Sequence, residues 1–469
     1  MKDFIERSIR VVGEASRTAA ERTEKLAQFE HVATRETLVE LVGKKLKNRK
    51  LILVSNREPY AHVYSGDTVT WFRSAGGLTI ALDSMASACA ATWVCLGDGN
   101  ADYTVTDAKG HVGVPPGNPK YTLKRIKLSK REIAEYYEGF SNETMWPLCH
   151  VCYVRPKFDY GTWLTYQKVN SKFADAVIEE APPGSVVFIQ DYHLCLVAKY
   201  IKEKRPDITT VMFWHIPWPN PEVFRICPWK KEILEGLLAN DILGFHLRYH
   251  AGNFMETVNS ELECRINMEK MQIIRNENAT RVHSYPISVD FSSIFTAAGG
   301  VDVQKKIDSR RSSLRLHNVK IGIGVDRLDY TKGIPERLDA IDRLFEKYPE
   351  HIGAFSFVQI GVPSRTHIED YLQVVNRIES RTIEINAKHG TDGWEPVIFL
   401  KGQQNFDELV PFYKMADLCI VSSLHDGMNL VAKEFIAASD NDRGVLILSH
   451  FTGAARELEQ SLMVNPYDT

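Results

Sequence analysis

The sequence predicts a doubly wound α/β protein of two domains, and three observations carry that prediction. From Lys50 onward, short β-branched runs alternate with helix-length amphipathic stretches. The runs are largely apolar throughout rather than alternating, the pattern of parallel strands covered on both faces. A polar, strand-free stretch, Phe291–His317, interrupts the alternation and places a domain boundary and hinge near residue 290.

In chain order, residues 1–48 predict a helical preface. Ile5, Ile9 and Val12, and again Leu38, Leu41, Val42 and Leu46, fall at helical spacing, with the charged stretch Glu14–Lys25 between them. Such a segment docks on the body or mediates assembly, which leaves a homo-oligomer open. In residues 49–290 the candidate strands are Leu51–Val54, Thr92–Leu96, Val186–Gln190, Val211–Trp214, Ile242–Phe245 and Val282–Tyr285. In residues 291–469 they are Ile321–Val325, Phe355–Ile360, Val397–Leu400, Leu418–Val421 and Val445–Leu448, with a helix from Pro335 to Tyr348. Two such domains leave a cleft between the carboxyl ends of their strands, where open α/β sheets bind ligands.

Composition narrows the function. The 57 basic and 60 acidic residues nearly cancel, which argues against a basic footprint for nucleic acid and leaves room for a local basic pocket that takes an anionic ligand. No apolar run reaches the roughly 18 residues of a membrane helix, and the charged N-terminus lacks a signal-peptide core. The eight cysteines are scattered, and the single C-x-x-C, Cys149 and Cys152, has no second pair to complete a zinc site. A reducing cytoplasm is the expected location.

Five motifs can carry chemistry. Ser55-Asn56-Arg57 follows the first strand, and Ser74-Ala75-Gly76-Gly77-Leu78 follows soon after. A Gly-Gly pair before a helix lets backbone N–H groups approach an anion, and Arg57 adds a guanidinium fork; a plain turn with a surface arginine explains the same residues. Asp191 of Gln190-Asp191-Tyr192-His193 ends an apolar strand, placed either to accept sugar hydroxyls or to cap the next helix. Phe213-Trp214-His215-Ile216-Pro217-Trp218-Pro219 fixes His215 in a proline-stiffened loop, as a hydroxyl donor or a packed core histidine. Asp326-Arg327-Leu328-Asp329-Tyr330-Thr331-Lys332-Gly333 places two cations, Arg327 and Lys332, beside a turn, as a diphosphate leaving group requires; a solvent-exposed basic pair explains the same residues. Asp426-Gly427-Met428-Asn429-Leu430-Val431-Ala432-Lys433-Glu434 reads as an Asp-Gly turn opening a helix. The helix tip offers N–H groups to a phosphate, Asp426 faces the sugar, and Glu434 lies within reach of a ribose diol.

Together these residues resemble the retaining, nucleotide-sugar-dependent glycosyltransferases with two facing Rossmann-like domains, the GT-B type, and more narrowly the trehalose-6-phosphate synthase family. The likeness runs from about Leu51 to Asp468 through SNR, SAGGL, EYYEGFSNETMWP, QDYHL, HIPWP, DRLDYTKGIPER, GVPSR and DGMNLVAKE, in that order. The resemblance implies an active-site cleft between an acceptor domain (49–290) and a nucleotide-sugar domain (291–469). It implies that Arg57, Gly77, Tyr137, Trp146, Asp191 and Arg365 bind a phosphorylated acceptor. It implies that Arg327 and Lys332 clamp the donor diphosphate, and that His215 and Asp426 touch the transferred glucose. Gly427, Met428, Asn429, Leu430 and Val431 would meet the donor through the backbone, and Glu434 the ribose. The implied catalytic set is His215, Arg327, Lys332 and Asp426.

The implied reaction moves glucose, with retention, from a nucleotide diphosphate glucose, UDP-glucose first, to glucose 6-phosphate, with no cofactor and no metal. A sibling synthase using glycerol 3-phosphate, or a non-catalytic sugar-phosphate sensor, are the alternatives. Leu96 stands where the family commonly has an aromatic residue near the acceptor, and His425 where an arginine is frequent. The family also continues beyond the position of Thr469 with helices that brace the first domain.

Overall fold

The computed structural model describes residues 35–47, 49–73, 77–276, 278–439 and 444–469. The expected helix around Ile5, Ile9 and Val12, and Ser74–Gly76 of the glycine loop, lie outside the described residues.

The first sheet contains β1 (Leu51–Val54), β4 (Thr92–Leu96), β5 (His111–Val114), β6 (Tyr121–Ile126), β7 (Val186–Gln190), β8 (Thr209–Trp214), β9 (Ile242–Phe245), β10 (Arg265–Asn267), β11 (Gln272–Arg275) and β12 (Asn278–Ser284). Their order is β10-β11-β12-β9-β8-β7-β1-β4-β6-β5. Pairing from β12 to β6 is parallel, and only the edge pairings β10–β11, β11–β12 and β5–β6 are antiparallel. β1 shows why its sequence is apolar throughout. Ile52 and Val54 enter one core while Leu51 and Leu53 enter another on the opposite face. Between β1 and β4 the chain makes a projecting hairpin, β2 (Tyr60–Ser65) and β3 (Thr68–Arg73), whose second strand is exposed throughout.

The second sheet is wholly parallel: β13 (Lys320–Arg327), β14 (Phe355–Val362), β15 (Val397–Lys401), β16 (Leu418–Val421), β17 (Val445–Ser449) and β18 (Leu462–Val464), ordered β15-β14-β13-β16-β17-β18. The polar stretch after residue 290 holds helices Phe291–Ala298 and Val301–Ser313, and their Ile294, Ala298 and Ile307 lie in the second core. The helix expected from Pro335 runs Ile334–Lys347, with proline in its first turn.

Helix Arg35–Leu46 differs from its sequence reading in one residue. Leu38, Val42 and Leu46 are partly covered, but Leu41 is 51% exposed, because the docked stripe follows the four-residue spacing alone.

In each sheet the chain reverses its winding direction once. The reversal points lie between β1 and β7 in the first sheet and between β13 and β16 in the second. Crevices outside the carboxyl ends of strands at such points are where open α/β sheets hold ligands. Four of the five sequence motifs begin at the ends of these strands or of their neighbour β8.

Candidate active site

After β1, Ser55 Oγ donates to the carbonyl of Arg57 at 2.6 Å and accepts from Trp93 Nε1 at 2.8 Å, which pins the turn. Arg57 itself is exposed and its Nη2 donates to Tyr137 Oη at 3.0 Å. Gly77 is the first residue of helix Gly77–Cys89.

Tyr137 lies in an unusual element. Residues Ala134–Met145 form a π-helix after a capping box at Ser129 and Glu132. The wide turn is held by five-residue links: Ser141 Oγ donates to Tyr136 O, Asn142 Nδ2 to Tyr137 O, and Trp146 N–H to Ser141 O. In an α-helix of 3.6 residues per turn, Tyr137 and Trp146 would lie on opposite sides. Here both meet Arg365. The guanidinium sits 4.2 Å from the Trp146 ring centroid. Burial pushes the Tyr137 phenol up, but the Arg365 and Arg57 cations outweigh it and bring it down to about 8.

After β7, Asp191 adopts φ 71° and ψ 168°, a region that glycine normally occupies. Two bonds hold it there: its N–H donates to Phe213 O at 2.7 Å, and its Oδ1 accepts from the His215 N–H at 3.0 Å. Its side chain caps no helix N–H, so the capping alternative is set aside. Burial raises the Asp191 carboxyl to about 6. His215, after β8, donates from Nε2 to Gln190 Oε1 at 2.9 Å. Burial, with His246 and His193 close by, holds its imidazole neutral.

In the second domain, Arg327 ends β13 with its guanidinium 5.1 Å from the same Trp146 ring. It has no hydrogen-bond partner among the described residues. Lys332 Nζ donates to Asp426 Oδ2 at 2.5 Å, and Asn429 Nδ2 and Ser423 Oγ donate to the same oxygen. Burial opposes ionisation of Asp426, but Lys332 outweighs it and holds the carboxyl well below its usual range.

Asp426-Gly427 refines the sequence reading. Asp426 forms a single parallel bridge with Thr452, its N–H donating to Phe451 O and Gly453 N–H to Asp426 O, and the chain bends at Gly427 before the helix. Glycine is required at 427 because a Cβ there would lie 2.2 Å from the His215 carbonyl oxygen, across the domain seam. Helix Leu430–Ala438 follows Met428 and is capped by Asn429, at φ 75°, whose side chain accepts from Ala432 N–H. The N–H groups of Leu430 and Val431 head this helix, where no intrahelical acceptor exists. One turn on, Glu434 Oε2 accepts from Tyr413 Oη at 2.8 Å, and burial raises its carboxyl.

Arg365 crosses the seam. Its Nη1 donates to Tyr371 Oη at 2.5 Å and to Asp329 Oδ2 at 3.4 Å, and its Nη2 reaches Tyr192 Oη of the first domain at 3.2 Å. Among the described residues its Nε is buried with no partner, as are Trp146 Nε1, His193 Nε2 and Gln190 Nε2. Four unspent polar nitrogens near one seam suit a ligand rich in oxygen acceptors.

Sequence reasoning missed several supporting residues. Tyr192 and Tyr371 orient Arg365, and Tyr413 orients Glu434. Arg337, fully buried, bonds Asp326, Gln359 and Ser422, and Ser422 Oγ donates to the Gly333 carbonyl of the Lys332 loop. An arginine on the apolar face of the Ile334–Lys347 helix was the available signal. His425 Nδ1 donates to the His150 carbonyl at 2.6 Å, again between domains. Leu96 is 8% exposed and packs in the first core. The described cysteines are all free. Among the described residues no helix is long and apolar enough to cross a membrane, and no group of three or more His, Cys, Asp or Glu is placed to hold a metal ion.

Residues 49–469 match the model of glycosyltransferase family 20. The trehalose-6-phosphate synthase of Mycobacterium avium (strain 104) is 38% identical over 431 residues, 90% of this chain and 86% of that protein. That of Mycobacterium tuberculosis (strain ATCC 25618 / H37Rv) is 38% identical over 426 residues, 89% and 85% of the two chains. Among solved structures, "Trehalose-6-phosphate from E. coli bound with UDP-2-fluoro glucose" superposes with a TM-score of 0.78 at 32% identity, covering 89% of this chain and 88% of that one. The synthase of Burkholderia xenovorans in complex with glucose-6-phosphate gives 0.79 at 30% identity, covering 89% of each chain.

Proposed function

The chain belongs to glycosyltransferase family 20, and on that premise we propose that it is a trehalose-6-phosphate synthase. It transfers glucose from UDP-glucose to glucose 6-phosphate, giving trehalose 6-phosphate and UDP.

One observation carries this reading. Arg327 and Arg365 both lie over the Trp146 ring, at 5.1 and 4.2 Å. Two guanidinium groups on one indole repel each other, and the single Asp329 carboxylate they share leaves positive charge for further anions to neutralise. A donor diphosphate at Arg327 and an acceptor phosphate at Arg365 supply those anions, one on each side. The relatives' bound molecules, a UDP-glucose analogue and glucose 6-phosphate, carry those two groups.

The donor diphosphate then takes Arg327, Lys332 and the N–H groups of Leu430 and Val431, with Glu434 on the ribose. Gly427, Met428 and Asn429 carry that backbone past the sugar. Arg57, Tyr137 and Arg365 hold the acceptor phosphate, with Trp146 beneath and the Gly77 helix start beside it. Asp191 accepts from acceptor hydroxyls, while His215 and Asp426 face the transferred glucose.

Chemistry proceeds as the bond from glucosyl C1 to the diphosphate oxygen breaks and a bond to the acceptor's anomeric oxygen forms on the same face. The acceptor proton passes to the departing phosphate oxygen. Charge grows on the diphosphate in the transition state, so the cations do most where they are already fixed. Held geometry supplies the rest. This scheme needs no metal and no cofactor, and assigns donor binding to residues 291–469 and acceptor binding to residues 49–290, with Arg365 reaching across from the second domain. A cytoplasmic location accords with the free cysteines.

The test is incubation with UDP-, ADP- or GDP-glucose together with glucose 6-phosphate or glycerol 3-phosphate, with product identification. Trehalose 6-phosphate, formed fastest from UDP-glucose, is the expected product. A clear preference for glycerol 3-phosphate, or no transfer from any donor, rejects the reading.

A further inference from the structure

We infer that Gln190 is a positioning residue for His215 and a hydrogen-bond donor to the transferred sugar, an assignment that rests on the glucosyl-transfer reading above. Gln190 ends β7 at the first sheet's reversal point and is 1% exposed. Its two amide atoms have different fates. Oε1 lies 2.9 Å from His215 Nε2. An amide oxygen only accepts, so Nε2 of the imidazole carries the hydrogen and Nδ1 presents its lone pair. The other amide atom, Nε2, is buried and has no partner among the described residues.

A buried N–H left unpaired is costly, and such groups in folded proteins normally find a partner. The position of this one points to its partner. The next residue is Asp191, held at φ 71° with its carboxylate on the His215 N–H. The His215 carbonyl meets Gly427 of the donor loop. The residues bonded to Gln190 and following it thus meet the donor loop of the other domain, and the acceptor that completes the buried amide is assigned to a sugar hydroxyl oxygen.

The choice of an amide has a further effect. The titratable groups beside His215 are Asp191, on its N–H, and His193 and His246 beside the ring. Glutamine adds no charge to this set, so His215 stays neutral and keeps one tautomer. A carboxylate at 190 would favour the imidazolium instead.

The test uses the full chain and two variants. Gln190→Glu keeps an acceptor for His215 but removes the free donor and adds a charge. Gln190→Met removes both partners at similar size. Nitrogen-15 histidine spectra of the unliganded protein read the tautomer directly. The Nε2–H form of His215 is expected in the wild type, imidazolium in Gln190→Glu, and loss of the single tautomer in Gln190→Met. With UDP-glucose and glucose 6-phosphate, kcat should fall about tenfold in both variants, the scale of one hydrogen bond to substrate, with the acceptor KM within about twofold. Gln190→Glu should also acquire a pH dependence that Gln190→Met lacks.

An Nδ1–H tautomer in the wild type overturns the positioning role. Wild-type turnover retained within about twofold in both variants overturns the donor role. If the wild type transfers no glucose at all, the reaction reading fails instead, and the spectra still decide the contact between Gln190 and His215.

Discussion

Lys332 Nζ lies 2.5 Å from Asp426 Oδ2, and this ion pair joins the loops that follow β13 and β16 across the reversal point of the second sheet. The side chains are 10% and 15% exposed, so the pair is close to fully desolvated. The lysine expected to clamp a diphosphate is therefore already fixed in place by the aspartate expected to face the sugar. Arg327 differs: among the described residues its guanidinium makes no hydrogen bond or ion pair, and it lies over the Trp146 ring near the Asp329 carboxylate.

This contrast separates two variants. Arg327→Ala and Lys332→Ala should each lower kcat about a hundredfold or more, because both cations stabilise charge that develops on the leaving diphosphate. Lys332→Ala should also destabilise the fold, by about 3–5 kcal/mol, because it strands Asp426 as a buried unpaired charge, and by more than Arg327→Ala, which leaves Asp329 the Arg365 and Lys332 cations. Thermal denaturation beside steady-state kinetics checks this. Equal loss of stability in both variants would show that Arg327 has a structural partner.

Arg365→Lys tests the acceptor side. Lysine keeps the charge but cannot reproduce the fork that reaches Tyr371, Asp329 and Tyr192 together. KM for glucose 6-phosphate should rise about tenfold or more while UDP binding, measured calorimetrically, changes little. Weakened UDP binding with normal acceptor use would move Arg365 to the donor side.

The pH profile follows from two groups. Burial raises Asp191 to about 6, so its carboxylate, the form that accepts from sugar hydroxyls, is lost as pH falls through 6. Burial opposes ionisation of Tyr137, but Arg365 and Arg57 bring it to about 8, so a phenolate appears beside the acceptor phosphate as pH rises through 8. The kcat/KM for glucose 6-phosphate should therefore be bell-shaped with limbs near 6 and 8. Tyr137→Phe should abolish the alkaline limb and leave the acid limb. An alkaline limb that survives in Tyr137→Phe assigns it to another group.

Gly427→Ala tests the seam. The new Cβ would meet the His215 carbonyl at 2.2 Å and the Ile216 Cα at 3.3 Å, both backbone atoms of the other domain. The domains must part slightly, so kcat should fall about tenfold or more, by misplacement of the reacting groups. The melting temperature should change little, because neither core is touched. Unaltered turnover would mean that the seam opens during catalysis without cost.

The parts of the fold legible in the sequence were those with one-sided physics. β1, β7 and β13 are buried on both faces, and their apolar runs announce them. β6 was hidden because its sequence carries Lys124 and Arg125. Arg125 is buried only because Glu58 and Asp102 pair with it, and no local pattern reveals partners 67 and 23 residues away. β3 was hidden because all of it is exposed. In the site, chemistry-bearing residues at strand ends were readable as motifs, whereas their supports were not. Tyr192 and Tyr371 look like ordinary core aromatics until Arg365 is seen between them. Gln190 looked like the last residue of a strand. The π-helix is set by hydrogen bonds five residues apart, which a 3.6-residue template does not detect.

The central claim is that Trp146 separates two anion sites, one for a diphosphate on Arg327 and Lys332 and one for an acceptor phosphate on Arg365. A crystal structure with UDP and glucose 6-phosphate bound together measures this directly. The account predicts the diphosphate against Arg327, Lys332 and the N–H groups of Leu430 and Val431, with the sugar phosphate against Arg57, Tyr137 and Arg365. Either phosphate group bound away from this seam, or both on the same side of the indole, would contradict it.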